Sequence, residues 1–419
     1  MLPGDNSGVT IAQIGSGLFA LSVWLLAAGW FWQLFLWMRN AGEVADLTRL
    51  PSCDLPVLSQ DANLLTVIVP ACNEEESIAE TLQSLLASEG ICLRIIAVDD
   101  RSTDNTGVIM ERVAEEVAGE QAAEQALKNN LQHQIQIIHI KKLASGWLGK
   151  PHALATAARL SQSDWLLFTD GDVQFAPEAV SLALRYAQAE QVDHLVLMPD
   201  WTMESHGEAA MHGALHALST WTLHLWRVAD PEAREFLGVG AFNLVRREVY
   251  EALGGFESLR MEVLEDLRFG WMVKRAGYRQ RVVLGPGLAA VRWSVGAWGV
   301  VRNLEKNLFA LYRYNVALAL LAGLGLVVQI SWPILAIVEG GLARVGGILV
   351  YLAIFGIYLV SRRVTRVPAG YVLVYPFAAG LFLFALLRSI VLTLFRNGVV
   401  WRGTLYPLAD LRARAGRFW

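Results

Sequence analysis

Residues 11–38 carry no charged side chain, and Leu, Trp and Phe dominate the run. About 20 apolar residues suffice for a helix to cross the hydrocarbon of a bilayer. Similar apolar runs recur near the other end, at about 317–338, 345–360 and 371–395, the second short for a crossing. The segment between has the composition of a water-soluble domain. Hydrophobic residues make up 54% of the 419, but the excess sits at the two ends. The chain must therefore fold as a soluble domain tied to apolar helices on both sides. The expected organisation is an anchor over 1–40, a linker over 41–63, a soluble domain over 64–309, about three membrane helices over 310–395 and a basic tail over 396–419.

No Lys or Arg precedes the first run, and it exceeds the apolar core of a signal peptide, which favours a retained anchor. Arg39 and Arg49 follow it, so the positive-inside tendency places the soluble domain in the cytoplasm, on a multi-pass protein of the plasma or inner membrane. Arg362, Arg363 and Arg366 fit a cytoplasmic turn. Three further crossings would put Arg396, Arg402, Arg412, Arg414 and Arg417 on the opposite side, against the same tendency. A re-entrant or interfacial stretch would remove that conflict. Arg388, inside the last run, faces another helix or the lipid headgroups on this reading. A net charge of -4 gives no reason to propose a nucleic-acid partner. Cys53, Cys72 and Cys92 lack zinc spacing and form no disulfide framework, as suits reduced residues on a cytosolic face.

In the soluble segment, 64–69 reads as a short strand closed by Pro70. Asn73, with Glu76 three residues on, has the form of a capping box, and Ile78, Leu82, Leu85 and Leu86 give the next helix one apolar face. A second strand over 91–98 ends in Asp99 and Asp100, and a helix follows through Val117. A third strand spans 134–140; then come GWLGKPHAL, a helix, and a fourth strand over 165–169 that stops at Asp170, Gly171 and Asp172. This alternation predicts a parallel sheet covered by helices on both faces. Its strand ends bring Asn73, Asp100, Lys150 and Asp170 to one rim, where open α/β sheets bind ligands. Two carboxylates one residue apart suit a hard divalent cation that also takes phosphate oxygens. Asp and Gly are equally ordinary turn residues, Asn73 a plain helix cap, and Lys150 an ordinary solvated lysine.

Farther on, Gly238 and Gly240 precede a strand-like segment, and Glu265 and Asp266 open a helix, where acids also favour the helix dipole. His212 and His216 stand one helical turn apart, a possible metal spacing that lacks an evident third ligand. Trp221, Leu223, Leu225 and Trp226 suggest a helix beside the membrane touching a lipid acceptor, or simply a core helix.

PACNEE, VDDRSTDNT, FTDGD and LED, in that order over roughly 64–309, resemble the successive motifs of the inverting glycosyltransferases of family 2. GWLGK and the apolar helices at both ends look most similar to the membrane-bound, lipid-directed members, which include the carotenoid- and hopanoid-associated glycosyltransferases. The resemblance implies an α/β GT-A domain (Rossmann-like, of the nucleotide-diphospho-sugar transferase type) with N- and C-terminal transmembrane helices. It implies that Pro70, Asn73 and Glu74 line the nucleoside and that Asp100, supported by Asp99, reads the base. A carboxylate is the natural reader of uracil's N–H. Lys150 would meet the diphosphate or nucleotide and Gly240 the sugar. Asp170 would serve the nucleotide sugar, with Asp170 and Asp172 as ligands of Mg2+ or Mn2+. Asp266 would be the base, with Glu265 beside it.

The implied activity moves one sugar from a nucleotide sugar, on UDP, to a lipid or polyprenyl-type acceptor at the bilayer. Processive members of the family carry Q-x-x-R-W after the base. Arg292 and Trp293 look like its tail without the Gln, while RNLEKN lies nearer the expected distance, so the resemblance implies that Arg302 or Lys306 contacts the diphosphate. Single transfer is therefore the better reading. The alternatives are a processive polysaccharide synthase and a catalytically inactive membrane scaffold.

Overall fold

The computed structural model describes residues 11–50, 55–58, 65–124 and 133–414; Cys53, Leu64 and Arg417 lie outside them. Helix α1 (Ile11–Asn40) is followed by an α/β domain that begins with β1 (Leu65–Ala71), α2 (Ile78–Leu86), β2 (Arg94–Asp100), α3 (Thr106–Glu124) and β3 (Gln134–Ile140). It continues through α4 (Gly149–Ala158), β4 (Trp165–Phe168), β5 (Val173–Phe175), α5 (Ala179–Ala189), β6 (His194–Met198), β7 (Asp200–Trp201) and α6 (His206–Ser219). Then come β8 (Asn243–Arg246), α7 (Arg247–Ala252), α8 (Glu265–Arg275), β9 (Gln280–Leu284), β10 (Ala289–Val291) and α9 (Gly296–Leu311). The main sheet runs β3-β2-β1-β4-β8-β6-β9, with β8 alone antiparallel to its neighbours. A small sheet of β5, β10 and β7 stands beside it. This is the α/β architecture expected of a GT-A domain.

The central strands β1 and β4 are buried along their whole length because they are apolar on both faces. One core cluster packs α2 and α5 on one face, and another packs the alanines of α4 on the opposite face. Pro70 does not close β1, which runs on to Ala71 paired with Asp99. The Pro70 ring faces the β4 side, where pairing has ended at Ile68 opposite Phe168, so its missing N–H leaves no rung open.

Asn73 is not the cap of α2. Ser77 takes that position without a side-chain cap, and Asn73, left-handed at φ +56°, accepts the Thr103 N–H at 2.8 Å with its side-chain oxygen. A polar side chain that tolerates φ > 0 lets the chain reverse there and grip the next loop. Part of the segment expected as a linker also packs on the sheet. Leu284 N–H donates to the Ala45 carbonyl at 2.8 Å, and Leu47 is 1% exposed. Burial of one such leucine contributes about 2 kcal/mol.

After the domain come α10 (Val316–Glu339), α11 (Gly341–Thr365), α12 (Tyr375–Phe395), β11 (Gly398–Trp401), β12 (Thr404–Pro407) and α13 (Leu408–Arg414). Among the described residues, four segments are long and apolar enough to cross a membrane: Gln13–Glu43, Val316–Glu339, Gly341–Thr365 and Ala369–Phe395. The second C-terminal run is thus not short. Gly340 at φ +96° reverses the chain between α10 and α11. α11 packs along α1, where Gly346 sits beside Val23 and Trp24, Gly356 sits beside Leu34, and Trp24 donates to the Leu342 carbonyl at 3.1 Å. At its far end Arg366 pairs with Asp200 of β7 at 2.6 Å.

α12 behaves differently. Just before it, Tyr371 meets His206 of α6 at 2.6 Å. Along its length Phe384 lies against Trp298 and Arg388 pairs with Glu305 at 3.0 Å, both partners on α9. Beyond its end, β11 and β12 fold back onto the α/β domain. The residues expected as a basic tail therefore form an ordered hairpin and short helix.

Candidate active site

The carboxyl ends of β1, β2 and β4 open on a cleft whose other walls are α4, α8, α9 and the β11–β12 hairpin. The loops after β1 and β2 are tied together. Thr106 Oγ1 accepts the Glu74 N–H at 2.8 Å, and Glu75 accepts from Asn105 at 3.1 Å (N–H) and 2.8 Å (side-chain amide). That ladder fixes Glu74 at the rim.

Asp100 lies in the cleft with its carboxylate clasped by Arg101 at 2.7 and 2.9 Å. Asp99 points away: it pairs with His139 at 2.9 Å and accepts the Ser102 N–H at 3.1 Å, so it braces the loop. Asn73 is likewise outside the cleft lining, occupied with Thr103. Pro70 and Glu74 line it.

Lys150, in the first turn of α4, reaches Asp170 at 2.7 Å and Glu265 at 2.8 Å. Burial opposes its charge, but Asp170, Glu265 and Asp266 hold its pKa well above the usual lysine value. Burial likewise opposes ionisation of Asp170, but Lys150 keeps its pKa below the ordinary aspartate range. The lysine is thus a strut between carboxylates of β4 and α8, not a free cation awaiting a diphosphate. Gly238 and Gly240, read as turn or bulge positions, have no left-handed φ. Their need for glycine is close approach: a Cβ on Gly240 would overlap the Asp170 carboxylate, and one on Gly238 would overlap the Asp266 carbonyl.

Asp172 is pushed up to about 7 by burial, then by the charges of Asp170 and Glu74. Asp266 rises to about 6 through burial and the neighbouring Glu265, with Lys150 offsetting part of this. Its Oδ1 accepts the Leu267 N–H at 2.7 Å, which orients the carboxyl at the start of α8. Perturbed acids converging in one cleft are what acid–base and cation chemistry require.

Lys306 of α9 also lines the cleft, and burial lowers its pKa to about 8. Sequence reasoning missed Trp401, Arg402 and Tyr406, all on the C-terminal hairpin and all lining the cleft. A signal existed: VVW and TLY flank Arg402–Gly403, a two-residue turn whose φ values, +46° and +75°, are those of a tight hairpin. Trp293 lines the cleft beside Trp201 at 5.6 Å, while Arg292 pairs with Glu204 and Glu208 at 2.6 and 3.0 Å. His212 and His216 are core residues, edge-on to Trp201 at 3.9 Å and to Trp37 at 4.9 Å. Burial lowers both to about 4, and no group of three metal-ligating side chains occurs among the described residues.

A mostly parallel sheet with paired aspartates past a central strand and an acid-headed helix across the cleft defines a GT-A domain. Residues 66–254 match the family described as Glycosyl transferase family 2. Among curated relatives, a 4,4'-diaponeurosporenoate glycosyltransferase of Staphylococcus aureus (strain bovine RF122 / ET3-1) is 23% identical over 208 residues, 49% of this chain and 50% of the relative. The chain spans about half the length of the curated relatives it matches. A mannosyltransferase of Pyrobaculum calidifontis, solved with GDP-Man and Mn2+, aligns at TM-score 0.45 and 16% identity, over 90% of this chain and 98% of that one. A TarS fragment of Staphylococcus aureus with UDP-GlcNAc aligns at 0.36 and 16% identity, over 82% and 95%. Both superpositions are loose, and the fold is read from the strand order itself.

Proposed function

We propose that the protein is a membrane-bound inverting glycosyltransferase that moves one sugar from a nucleotide sugar, carried on UDP, to a lipid or polyprenyl-type acceptor. The observation that carries this reading is that Asp100, Asp170, Asp172 and Asp266, distant in sequence, line one cleft. The diaponeurosporenoate glycosyltransferases named above are, by that name, enzymes of a carotenoid-type lipid, which favours a lipid acceptor here.

In this scheme Asp266 takes the proton of the acceptor hydroxyl. The oxygen attacks the anomeric carbon from the face opposite the diphosphate, and the breaking C–O bond leaves its electron pair on the nucleoside diphosphate, inverting the centre. A pKa near 6 leaves Asp266 ionised at neutral pH yet basic enough to accept the proton. Asp170 and Asp172, two carboxylates that leave the rest of the shell to phosphate oxygens and water, fit a divalent cation: among the described residues no cation pairs with Asp172, and the negative charges around it raise its pKa. Bound Mg2+ or Mn2+ would supply charge neutralisation at the departing diphosphate. Lys150 keeps Asp170 ionised and in place, and Asp100 is the candidate reader of the base once Arg101 yields its place.

The acceptor's class follows from the membrane helices, of which α1, α10 and α11 are read as the crossings. α12, held to the domain at both ends, lies along the bilayer surface beside α9. The domain and the basic C-terminal hairpin then share the cytoplasmic side. The test is Asp266→Asn: transfer to a polyprenyl-type or carotenoid acceptor should fall by about a thousandfold or more with donor affinity nearly unchanged. A fall in donor affinity that matches the fall in rate would remove Asp266 from the role of base.

A further inference from the structure

The β11–β12 hairpin lies outside the family-matched residues 66–254, yet it builds one wall of the cleft. Its contacts reach three separate elements. Tyr406 Oη accepts the Gly149 N–H of α4 at 3.3 Å, and Thr404 Oγ1 accepts from Arg101, just past β2, at 3.5 Å. Arg402 pairs with Glu74 at 2.5 Å and donates to the Cys72 carbonyl, both just past β1. Val399, Tyr406 and Leu408 pack with Leu148, Met261 and Val263, so the hairpin is anchored by apolar burial and is not a loose strand end.

The cations of the cleft can be sorted by what already holds them. Lys150 is taken by Asp170 and Glu265, and Arg101 is clasped to Asp100. Lys306 carries no ion pair among the described residues; its ammonium stands 3.9 Å over the Trp401 ring, on the hairpin itself. Arg402 holds Glu74 only at the solvent-exposed rim, its side chain 39% exposed. Such a rim pair is weak and exchangeable, whereas a guanidinium can meet phosphate oxygens in a two-pronged grip. Six acids in the cleft, Glu74, Asp100, Asp170, Asp172, Glu265 and Asp266, repel an anionic ligand, so a nucleoside diphosphate needs cations that are unpaired or held only by an exchangeable pair.

We propose that the C-terminal hairpin completes the donor site, with Arg402 exchanging Glu74 for the diphosphate of a nucleoside diphosphate and Lys306 as the second cation on it. This rests on the reading of the cleft as a donor site. The hairpin then serves as a wall that the family domain alone lacks, and its turn geometry fixes where the guanidinium stands.

The experiment compares full-length protein in nanodiscs with Arg402→Gln, Arg402→Lys and Lys306→Met by calorimetry, using UDP and UMP, then GDP and GMP, with Mn2+ present. For the diphosphate that the unaltered protein binds, affinity should fall on the order of tenfold to a hundredfold in Arg402→Gln and in Lys306→Met, with partial recovery in Arg402→Lys. Affinity for the matching monophosphate should change by less than about threefold, since the loss falls on one charged contact to the second phosphate. Unchanged diphosphate affinity, or equal losses for both ligands, would overturn the role of the hairpin while leaving the donor reading intact. If the unaltered protein binds none of the four ligands, the donor reading itself fails, and this inference with it.

Discussion

A Cβ at Gly240 would overlap the Asp170 carboxylate and come within 2.9 Å of Lys150 Nζ, so hydrogen is what the Lys150–Asp170 pair needs there. Gly240→Ala should push Asp170 off Lys150 and cut the transfer rate by roughly a hundredfold, the scale of a displacement of about 1 Å in a reacting constellation. A thermal melt within a few degrees of the parent alongside that loss would place the effect in the cleft; an unchanged rate would show that the placement of Asp170 is not critical. Asp266 carries a second expectation. A base must be ionised to act, and its pKa is raised to about 6 by burial and Glu265. At saturating Mn2+, which would hold Asp172 ionised, the rate at low donor concentration should therefore fall as pH drops through about 6, and the residual rate of Asp266→Asn should lack that limb. An acid limb near 4, the value of an unperturbed aspartate, would mean that another group limits the rate. Asp100, Asp170 and Asp172 could be placed at the cleft from the sequence because a strand that ends in a carboxylate advertises itself, whereas Asp99 ends the same strand as Asp100 and turns to His139 instead. Asn73 and Lys150 were not legible in this way, because the partners that hold them, Thr103 in one case and Asp170 with Glu265 in the other, come from other loops and helices.

At the scale of elements, the alternation of apolar strands and amphipathic helices foretold β1 to β4 closely, and β3 falls on the expected residues 134–140. Periodicity could not reveal the one antiparallel strand, β8, since direction in a sheet depends on how the chain returns and not on its apolar pattern. The C-terminal hairpin was hidden for another reason. Five arginines after a long apolar run invite a compositional label, and that label obscured a two-residue turn between β-branched and aromatic strands. α9 shows how such pieces are held. Glu305 accepts Arg388 and Arg396 of the α12 region at 3.0 and 2.8 Å, while its carbonyl accepts the Ser389 hydroxyl at 2.5 Å. One helix thus presents Lys306 to the cleft and Glu305 to α12, which couples the cleft wall to the apolar layer beneath it.

For the molecule as a whole, the positive-inside conflict resolves once α12 is set along the membrane surface. A helix of 21 residues is about 31 Å long, enough to cross. Yet Tyr371 at its start touches α6, and the hairpin beyond its end touches Gly149 and Glu74, all in the α/β domain. A crossing helix would carry those two ends to opposite faces of the bilayer. α1 and the hairpin of α10 and α11 face no such constraint. Ser16 and Glu339 meet at 2.6 Å at the end remote from the domain, whereas Arg366 pairs with Asp200 at the near end. With three crossings, Arg39, Arg49, Arg362, Arg363, Arg366 and the arginines of the C-terminal hairpin and helix gather on the domain's side, as the positive-inside tendency asks. The prediction concerns the side of the C-terminus. A green fluorescent protein fused there should fluoresce and an alkaline phosphatase, which needs disulfides to fold, should be inactive, matching fusions placed after Arg366. Fusions placed after Gly340 should report the reverse. Phosphatase activity at the C-terminus would require α12 to cross, and the hairpin could not then reach Glu74 or the cleft in the membrane-embedded protein.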